Sequence, residues 1–280
     1  MIIDCHAHVF PPRIKNNRSK YTDEDPCFAM LYSKSSARLA TTDELIASMD
    51  KNGIEKSVIA NIGWMTHDLC LETNDYILES IARFPERLIG FCAVQPLAVE
   101  AALVEIERCA EGGAKGIGEL RPDVQLFNLL DAEVTGPFVK MLRRHKLVLM
   151  SHTSEPVGHS YPGKGTVTPD LLYYFISSYP DLPIICSHWG GGLPFYALMP
   201  EVKKALKNVY FDTAASSLLY DKQVFETVIN LVGAEKILYG SDFPLVEQGS
   251  SIKEITSLKL PDESRILGGN TAALLGIKGR

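Results

Sequence analysis

Eight short apolar runs recur along the chain, and a longer amphipathic segment separates each run from the next. The runs are MIIDCHA, EKSVIANIG, RLIGFCAVQ, AKGIGEL, KLVLMSH, LPIICSH, NVYFDTA and KILYGSD. Most are continuous and rich in Ile, Val and Leu, as in parallel strands that are buried on both faces. The segments between them, such as NDYILESIARF and PFVKMLRRH, carry apolar residues three and four positions apart, which indicates helices.

This alternation predicts an α/β protein, a (β/α)8 barrel of the TIM type, with residues 1–280 forming a single domain. An open doubly wound sheet is the alternative, but it usually has fewer strands and often a glycine-rich first turn. In a barrel, the active site lies at the mouth formed by the carboxyl ends of the strands. Three predicted loops at this mouth are long or rich in Gly and Pro: 11–40, 153–167 and 189–195. The first is long enough to form a lid.

Charge and cysteine content exclude several classes of protein. The net charge of −6 gives no basic footprint for a nucleic acid backbone. The six cysteines include no CxxC pair, and several lie in apolar runs, which favours free buried thiols in a reducing compartment. The start of the chain does not resemble a signal peptide, and no apolar run approaches the roughly 20 residues of a membrane span. We therefore expect a cytoplasmic protein with no membrane and no nucleic acid partner.

Side chains that can bind a metal or transfer a proton stand at the ends of five of the eight runs. They are His6 and His8, Glu119, His152, His188, and Asp242. Because residues two apart on a strand share a face, we expect His6 and His8 to point together into the barrel mouth. The same alternation puts Asp4 beneath them and turns Cys5 towards the helices.

Imidazoles and carboxylates in this combination suit a borderline divalent ion such as Zn²⁺. A lone histidine at a strand end is usually structural, so the prediction depends on the whole set. We expect one or two zinc ions per chain, and a metal-bound water whose pKa falls towards about 7. His188 or Asp242 would then transfer protons as the catalytic residues.

Four further residues are candidates for contact with a small-molecule substrate. Arg121 can bind a carboxylate, although an arginine in a loop is more often solvated. Trp64 and Trp189 follow strand ends, where they can wall an apolar pocket or simply pack. His159 lies in the loop after the fifth strand, where it either touches the substrate or holds the loop.

The histidine pair at the start, His152 in LMSHTSEP, His188 in SHWGGG and Asp242 in YGSDFP together resemble the amidohydrolase superfamily. More narrowly, they resemble its amidohydrolase-related branch, which includes aminocarboxymuconate-semialdehyde decarboxylase. The resemblance spans nearly the whole chain. It implies that His6, His8, His152 and Asp242 ligate one metal ion, often zinc, beside His188 as general acid or base. In binuclear relatives, the residues that match His152 and His188 hold a second ion.

Glu119 decides between two activities that the resemblance allows. Some relatives bridge two metals at this position with a glutamate or a carboxylated lysine, whereas typical decarboxylases of the branch do not rely on an acidic ligand there. The structural alternative is that Glu119 pairs with Arg121 or caps a helix. We therefore expect a metal-dependent hydrolase that uses a metal-bound water to cleave a small carboxylate, lactone, ester or amide. The alternative is a non-oxidative decarboxylase of an aromatic or enol acid. The oligomeric state stays open, with a homodimer as a common outcome.

Overall fold

The computed structural model describes residues 1–277 and contains the predicted barrel. Eight parallel strands form one sheet, in which each strand lies beside the next one along the chain. The strands are β1 (Ile3–Ala7), β2 (Lys56–Ala60), β3 (Leu88–Cys92), β4 (Gly116–Leu120), β5 (Val148–Ser151), β6 (Ile184–Cys186), β7 (Val209–Asp212) and β8 (Ile237–Leu238). Each strand lies within one of the eight apolar runs, so the prediction of a (β/α)8 barrel is confirmed.

Helices connect the strands and surround the barrel. The α-helices are α1 (Pro12–Asn16), α2 (Arg18–Glu24), α3 (Pro26–Tyr32), α4 (Thr42–Asn52), α5 (His67–Arg83), α6 (Glu100–Glu111), α7 (Ala132–His145), α8 (Pro169–Ser178), α9 (Ser187–Gly190), α10 (Pro200–Ala205), α11 (Ser216–Leu219), α12 (Gln223–Val232), α13 (Gln248–Ser257) and α14 (Asn270–Leu275). Short 3-10 helices span Pro96–Ala98, Leu193–Leu198, Leu206–Asn208 and Ala234–Lys236, and a π-helical turn spans Arg265–Gly269. Among residues 1–277, none of these helices combines the length and apolar character that crossing a membrane requires.

Local sequence signals set the ends of α4. The side chain of Thr41 accepts a hydrogen bond from the backbone N–H of Glu44, and the Glu44 carboxylate accepts one from the N–H of Thr41. This reciprocal pair is a capping box, which satisfies backbone donors that the first helical turn leaves free. The helix ends at Gly53, whose φ of 67° suits glycine because it carries no Cβ.

The residues that follow β8 close the barrel against β1. The N–H of Cys5 donates to the carbonyl of Tyr239 at 2.8 Å, and the N–H of Asp242 donates to the carbonyl of His6 at 2.9 Å. The N–H of His8 donates to the carbonyl of Phe243 at 2.7 Å. These bonds bring Asp242, near the end of the chain, beside the first-strand histidines.

Apolar side chains fill two layers around the sheet. One cluster lies inside the barrel and includes Val58, Phe91, Met150 and Leu238 from four different strands. A larger cluster joins the outward faces of the strands to the surrounding helices, with Ile59 among its members. Val58 and Ile59 are adjacent on β2 and belong to different layers, as expected for a strand buried on both faces.

Strand β4 contributes glycines to the barrel interior because its neighbours already fill the space. A Cβ at Gly116 would collide with the ring of Phe91, and a Cβ at Gly118 would collide with the carbonyl of Met150. Gly118 also has a φ of 139°, which side chains with a Cβ rarely adopt. The pairing of β4 with β5 shifts register between Ile117 and Leu120, and this irregularity turns Glu119 to the mouth.

A similar register shift corrects the expected orientation of Asp4 and Cys5. The pairing of β1 with β2 is irregular between Asp4 and Ala7, so strict alternation does not hold there. Cys5 belongs to the apolar cluster inside the barrel, whereas Asp4 accepts a hydrogen bond from Gln248 of α13 at 2.7 Å. Asp4 supports His6 through its backbone, since the N–H of His6 donates to Asp4 Oδ1 at 3.1 Å.

The segment 11–40, expected as a long loop, folds into α1, α2 and α3 over the barrel mouth. Asp25 fixes α3 there. Its Oδ1 accepts the N–H of Phe28 at 2.8 Å as a helix cap, and its Oδ2 accepts the N–H of Met65 at 2.8 Å. Phe28 stacks on Trp64, with ring centroids 5.4 Å apart. These contacts hold the residues after Phe28 above the strand ends.

Candidate metal centre

The first half of the site consists of His6, His8 and Asp242, which adjoin along the seam that closes the barrel. The Nε2 atoms of the two imidazoles lie 3.0 Å apart. Asp242 Oδ1 lies 3.5 Å from His8 Nε2 and 4.0 Å from His6 Nε2. All three residues are buried.

Glu119 joins this half of the site to a second half. Its Oε2 lies 3.8 Å from His6 Nε2 and 4.0 Å from His8 Nε2. Its Oε1 lies 3.1 Å from His152 Nδ1 and 3.5 Å from His188 Nε2. The structure thus brings all six predicted ligands together, with the Glu119 carboxylate between two pairs of imidazoles.

In His6, His8 and His188, Nδ1 points away from the centre of the site and is hydrogen-bonded to an oxygen. These bonds determine which ring nitrogen carries the proton and which keeps a lone pair towards the centre. The Nδ1 of His8 lies 3.0 Å from the carbonyl of Ala60, and the Nδ1 of His188 lies 3.1 Å from the carbonyl of Ala214. A carbonyl can only accept, so both Nδ1 atoms carry the proton, and in the neutral ring both Nε2 atoms keep a lone pair. The Nδ1 of His6 likewise lies 2.8 Å from a carboxylate oxygen, Asp212 Oδ2. Histidines that ligate metals have this arrangement.

The short distance between His6 Nε2 and His8 Nε2 indicates that the site is suited to a cation. If both rings are neutral and protonated at Nδ1, two lone pairs face each other at 3.0 Å, with two carboxylates within about 4 Å. A proton or a metal ion between them removes this conflict. The residues present therefore fit a divalent metal, and Glu119 belongs to both ligand groups, one with His6 and His8 and one with His152 and His188.

The pKa values also indicate an excess of negative charge. Burial opposes protonation of His6, but the carboxylates of Asp212 and Glu119 outweigh it and raise the pKa of His6 to about 10. Burial likewise opposes protonation of His188, but the hydrogen bond to Glu119 raises its pKa to about 9. Burial favours neutral Asp242, but hydrogen bonding and nearby imidazolium charge lower its pKa to about 2. The buried carboxylates therefore favour positive charge at the centre. Protons on the imidazoles provide this charge in the absence of a metal, and a bound metal ion can provide it instead.

Asp212, at the end of β7, is a supporting residue that sequence reasoning missed. Its Oδ2 accepts the Nδ1 proton of His6 at 2.8 Å. Its Oδ1 accepts the backbone N–H groups of His188 at 2.8 Å and Ala214 at 3.1 Å. One carboxylate thus orients two of the predicted ligands. The available signal was the position of Asp212 near the end of the run NVYFDTA, as Glu119 lies near the end of AKGIGEL and Asp242 at the end of KILYGSD.

A cavity of about 370 Å³ lies over the cluster, and every member of the cluster except His6 lines it. Apolar side chains from α3 and α11 form much of its wall, including Leu31, Tyr32, Leu218 and Leu219. Arg121 also lines the cavity. The segment that folds over the mouth therefore encloses the space in front of the metal ligands.

Neither tryptophan walls this cavity, which corrects the expectation for both. Trp64 is buried beneath α3, where its Nε1 donates to Asn61 Oδ1 at 2.8 Å. Trp189 is buried among helices and donates its Nε1–H to Ser216. His188 and Trp189 form a tight turn in which both have positive φ, 56° and 58°. The side chain of His188 reaches the cavity, whereas that of Trp189 packs in the core.

His159 lies at the outer rim, exposed, and its ring is 5.5 Å from that of Tyr161. Both residues line the cavity. The carbonyl of His159 accepts a hydrogen bond from Lys164 at 3.1 Å. The structure thus puts His159 at the entrance, in a loop that also has its own internal contacts.

Comparison with known proteins agrees with this arrangement. The family model described as Amidohydrolase matches residues 3–277. The chain belongs to the amidohydrolase family. The resemblance seen in the sequence is therefore confirmed, and the protein is an enzyme of the amidohydrolase superfamily.

Three relatives illustrate the family. The chain is 21% identical to 2-amino-3-carboxymuconate-6-semialdehyde decarboxylase of Dictyostelium discoideum over 330 residues, covering 98% of the chain and 91% of the relative. It is 24% identical over 286 residues to gamma-resorcylate decarboxylase of Polaromonas sp., covering 83% and 86%. The crystal structure of 5-carboxyvanillate decarboxylase from Novosphingobium aromaticivorans superposes with a TM-score of 0.83, at 19% identity and 99% and 96% coverage. That protein was complexed with manganese and 4-hydroxy-3-methoxy-5-nitrobenzoic acid. All three relatives are decarboxylases, so the comparisons favour the alternative activity over the hydrolase expected from Glu119.

Proposed function

We propose that this protein is a metal-dependent, non-oxidative decarboxylase of a small aromatic or enol carboxylic acid. The observation that carries the proposal is the convergence of six predicted ligand side chains beside an apolar-walled cavity of about 370 Å³. A cavity of this size is within the range of small-molecule sites. The decarboxylase activity of the relatives supports this reaction over hydrolysis.

The residues divide into metal ligands and proton-transfer groups. His6, His8, His152 and Asp242 would hold one divalent cation, with Glu119 and His188 next to it. When bound, the cation acts as a Lewis acid on an oxygen of the substrate. Imidazoles and carboxylates suit zinc, which the sequence predicts, and also manganese, which the 5-carboxyvanillate decarboxylase structure holds.

The reaction breaks the carbon–carbon bond to the carboxylate and releases carbon dioxide. The electron pair stays on the carbon, which then takes a proton. His188 delivers this proton, since its Nε2 faces the centre while its Nδ1 is held by Ala214 at 3.1 Å. Burial opposes protonation of His188, but the hydrogen bond and the charge of Glu119, and to a lesser extent the charge of Asp242, raise the pKa of His188 and so favour its protonated form. The apolar wall formed by Leu31, Tyr32 and Leu219 shields the carboxylate from water, which favours its conversion to neutral carbon dioxide.

The test is product analysis with protein loaded with manganese or zinc. A panel of hydroxybenzoates and enol acids is incubated with the protein, and carbon dioxide release and product mass are measured. We expect at least one acid to lose carbon dioxide, and His188→Ala to abolish turnover while keeping the fold. Asp221→Asn, a conservative change on the surface near α12, is the control. The proposal fails if the metal-loaded protein decarboxylates no acid of the panel.

Metal-dependent hydrolysis is the second candidate, and Glu119 is the observation that favours it. Its two oxygens face separate pairs of imidazoles, as a carboxylate that bridges two cations would. Two cations about 4 Å apart are a recurrent arrangement in hydrolases. The same product analysis separates the two activities, because hydrolysis adds water to an ester, lactone or amide and releases no carbon dioxide.

A further inference from the structure

Arg121 is a buried cation whose hydrogen-bonding groups are only partly used. It follows β4 directly and is 1% exposed. Its Nε lies 3.4 Å from Asp123 Oδ1, and its Nη2 lies 3.0 Å from Asp123 Oδ2. Asp123 therefore occupies one edge of the guanidinium. Among residues 1–277, Nη1 has no hydrogen-bond partner although it is buried. Buried donors almost always have partners, so this edge indicates a ligand.

The surroundings of Arg121 hold the guanidinium in one place. A Cβ at Gly165 would come within 2.8 Å of Nη2, and a Cβ at Gly163 within 3.8 Å of Nη1. On another side, the Met30 sulfur lies 3.8 Å from Nη2. The glycines of the loop after β5 thus let backbone pack directly on the charged group. A cation fixed in this way binds an anion without first having to be ordered.

Arg121 lines the same cavity as five of the six predicted metal ligands, all except His6. Glu119 and Arg121 lie two residues apart at the end of β4, so one strand end supplies both a ligand and a cation. Two other cations of the cavity wall, Lys34 and Arg38, are exposed at the mouth, and Arg38 pairs with Glu247. Arg121 is therefore the cation placed to act inside the cavity, away from solvent.

We propose that the free edge of Arg121 binds a carboxylate of the substrate, and that the substrate is a dicarboxylic acid whose second carboxylate lies towards the metal ligands. A guanidinium edge matches a carboxylate with two parallel hydrogen bonds. The assignment of the two carboxylates rests on the proposed decarboxylase function. A cation stabilises a carboxylate more strongly before it becomes neutral carbon dioxide, so a tight ion pair would slow the loss of that group. Arg121 therefore holds the carboxylate that stays in the product.

Ligand binding to the manganese-loaded protein tests this subsite without measuring turnover. Isothermal titration compares benzoate with the three benzenedicarboxylate isomers. We expect at least one isomer to bind about ten-fold or more tightly than benzoate. Arg121→Gln should remove this preference, and Arg121→Lys should keep part of it, because lysine keeps the charge and loses the paired donors. Lys34→Gln removes a cation from the mouth of the same cavity and should leave the preference intact.

Three outcomes would overturn the subsite: equal binding of benzoate and every isomer to the wild type, a preference that survives Arg121→Gln, or an equal loss in Lys34→Gln. If Arg121→Gln does not fold, the test compares the wild type with Arg121→Lys: the subsite requires a preference for a dicarboxylate in the wild type and a smaller preference in Arg121→Lys. If no acid is decarboxylated but binding of the dicarboxylate still depends on Arg121, the proposed function is refuted and the subsite is not. Decarboxylation without Arg121-dependent binding would refute the subsite alone.

Discussion

Replacing Asp212 with Asn should weaken metal binding while leaving the barrel folded. In the wild type, Asp212 accepts the Nδ1 proton of His6 at 2.8 Å and the backbone N–H groups of His188 and Ala214 at 2.8 and 3.1 Å. An asparagine oxygen can keep both backbone bonds, but its amide group then points N–H at the N–H of His6. Relief of this clash moves the His6 proton to Nε2, which removes the lone pair that faces the metal.

The expected loss of metal affinity follows from the loss of the hydrogen bond between Asp212 and His6 Nδ1. Loss of an outer partner of a metal-ligating histidine typically costs 10–100-fold in metal affinity, which is about 1.4–2.7 kcal/mol. Titration of Mn²⁺ into chelator-treated protein, followed by isothermal calorimetry, measures the change in Kd. Asp221→Asn is the matched control, because Asp221 is exposed and its Oδ1 accepts the N–H of Gln223 at 2.9 Å, a bond that an asparagine oxygen can also accept. A folded Asp212→Asn protein that binds Mn²⁺ within about two-fold of the wild type would refute the reasoning.

Three further predictions concern stability and are measured by urea unfolding. Burial favours neutral Glu105, but hydrogen bonds from Arg108 outweigh it and hold its pKa below 4.5, so this stabilisation is present above pH 4.5 and lost as pH falls through the lower folded-state pKa. Glu105→Gln should cost about 1–2 kcal/mol at pH 7 and progressively less below pH 4.5, and a loss independent of pH would contradict this. Gly118→Ala should cost more than about 3 kcal/mol or prevent folding, since its Cβ meets the carbonyl of Met150; near-wild-type stability would exclude this packing. Trp64→Ala should cost about 3–5 kcal/mol, because it removes the support beneath α3, and a loss below about 1 kcal/mol would show that α3 does not depend on it.

The barrel and the meeting of the six ligand residues could be predicted because both follow from regular features. Strands buried on both faces read as continuous apolar runs, and the carboxyl ends of parallel strands meet at one end of a barrel. His6, Glu119 and Asp242 are far apart in the sequence, yet each follows an apolar run. Their convergence therefore needed only the fold class and the order of the strands.

Other features depend on local departures from regularity that periodicity does not reveal. A register shift in β1 breaks the alternation that assigned faces to Asp4 and Cys5, and a shift in β4 turns Glu119 to the mouth. The direction of Trp189 follows from positive φ values at two adjacent residues, which no hydrophobic pattern indicates. Asp212 differs, since it follows the same strand-end pattern as the predicted ligands. A single acidic residue at a strand end is also typical of a turn or a helix cap, so the pattern alone did not mark Asp212 as part of the site.

Metal content of the purified protein tests the central claim most directly. Inductively coupled plasma mass spectrometry on the wild type should find about one divalent ion per chain, or about two if Glu119 bridges a pair. The double variant His6→Ala/His8→Ala, purified in parallel, should retain only traces while its circular dichroism stays that of a folded barrel. A wild type that holds no metal after exposure to Mn²⁺ and Zn²⁺, or a folded double variant that holds as much as the wild type, would contradict the account.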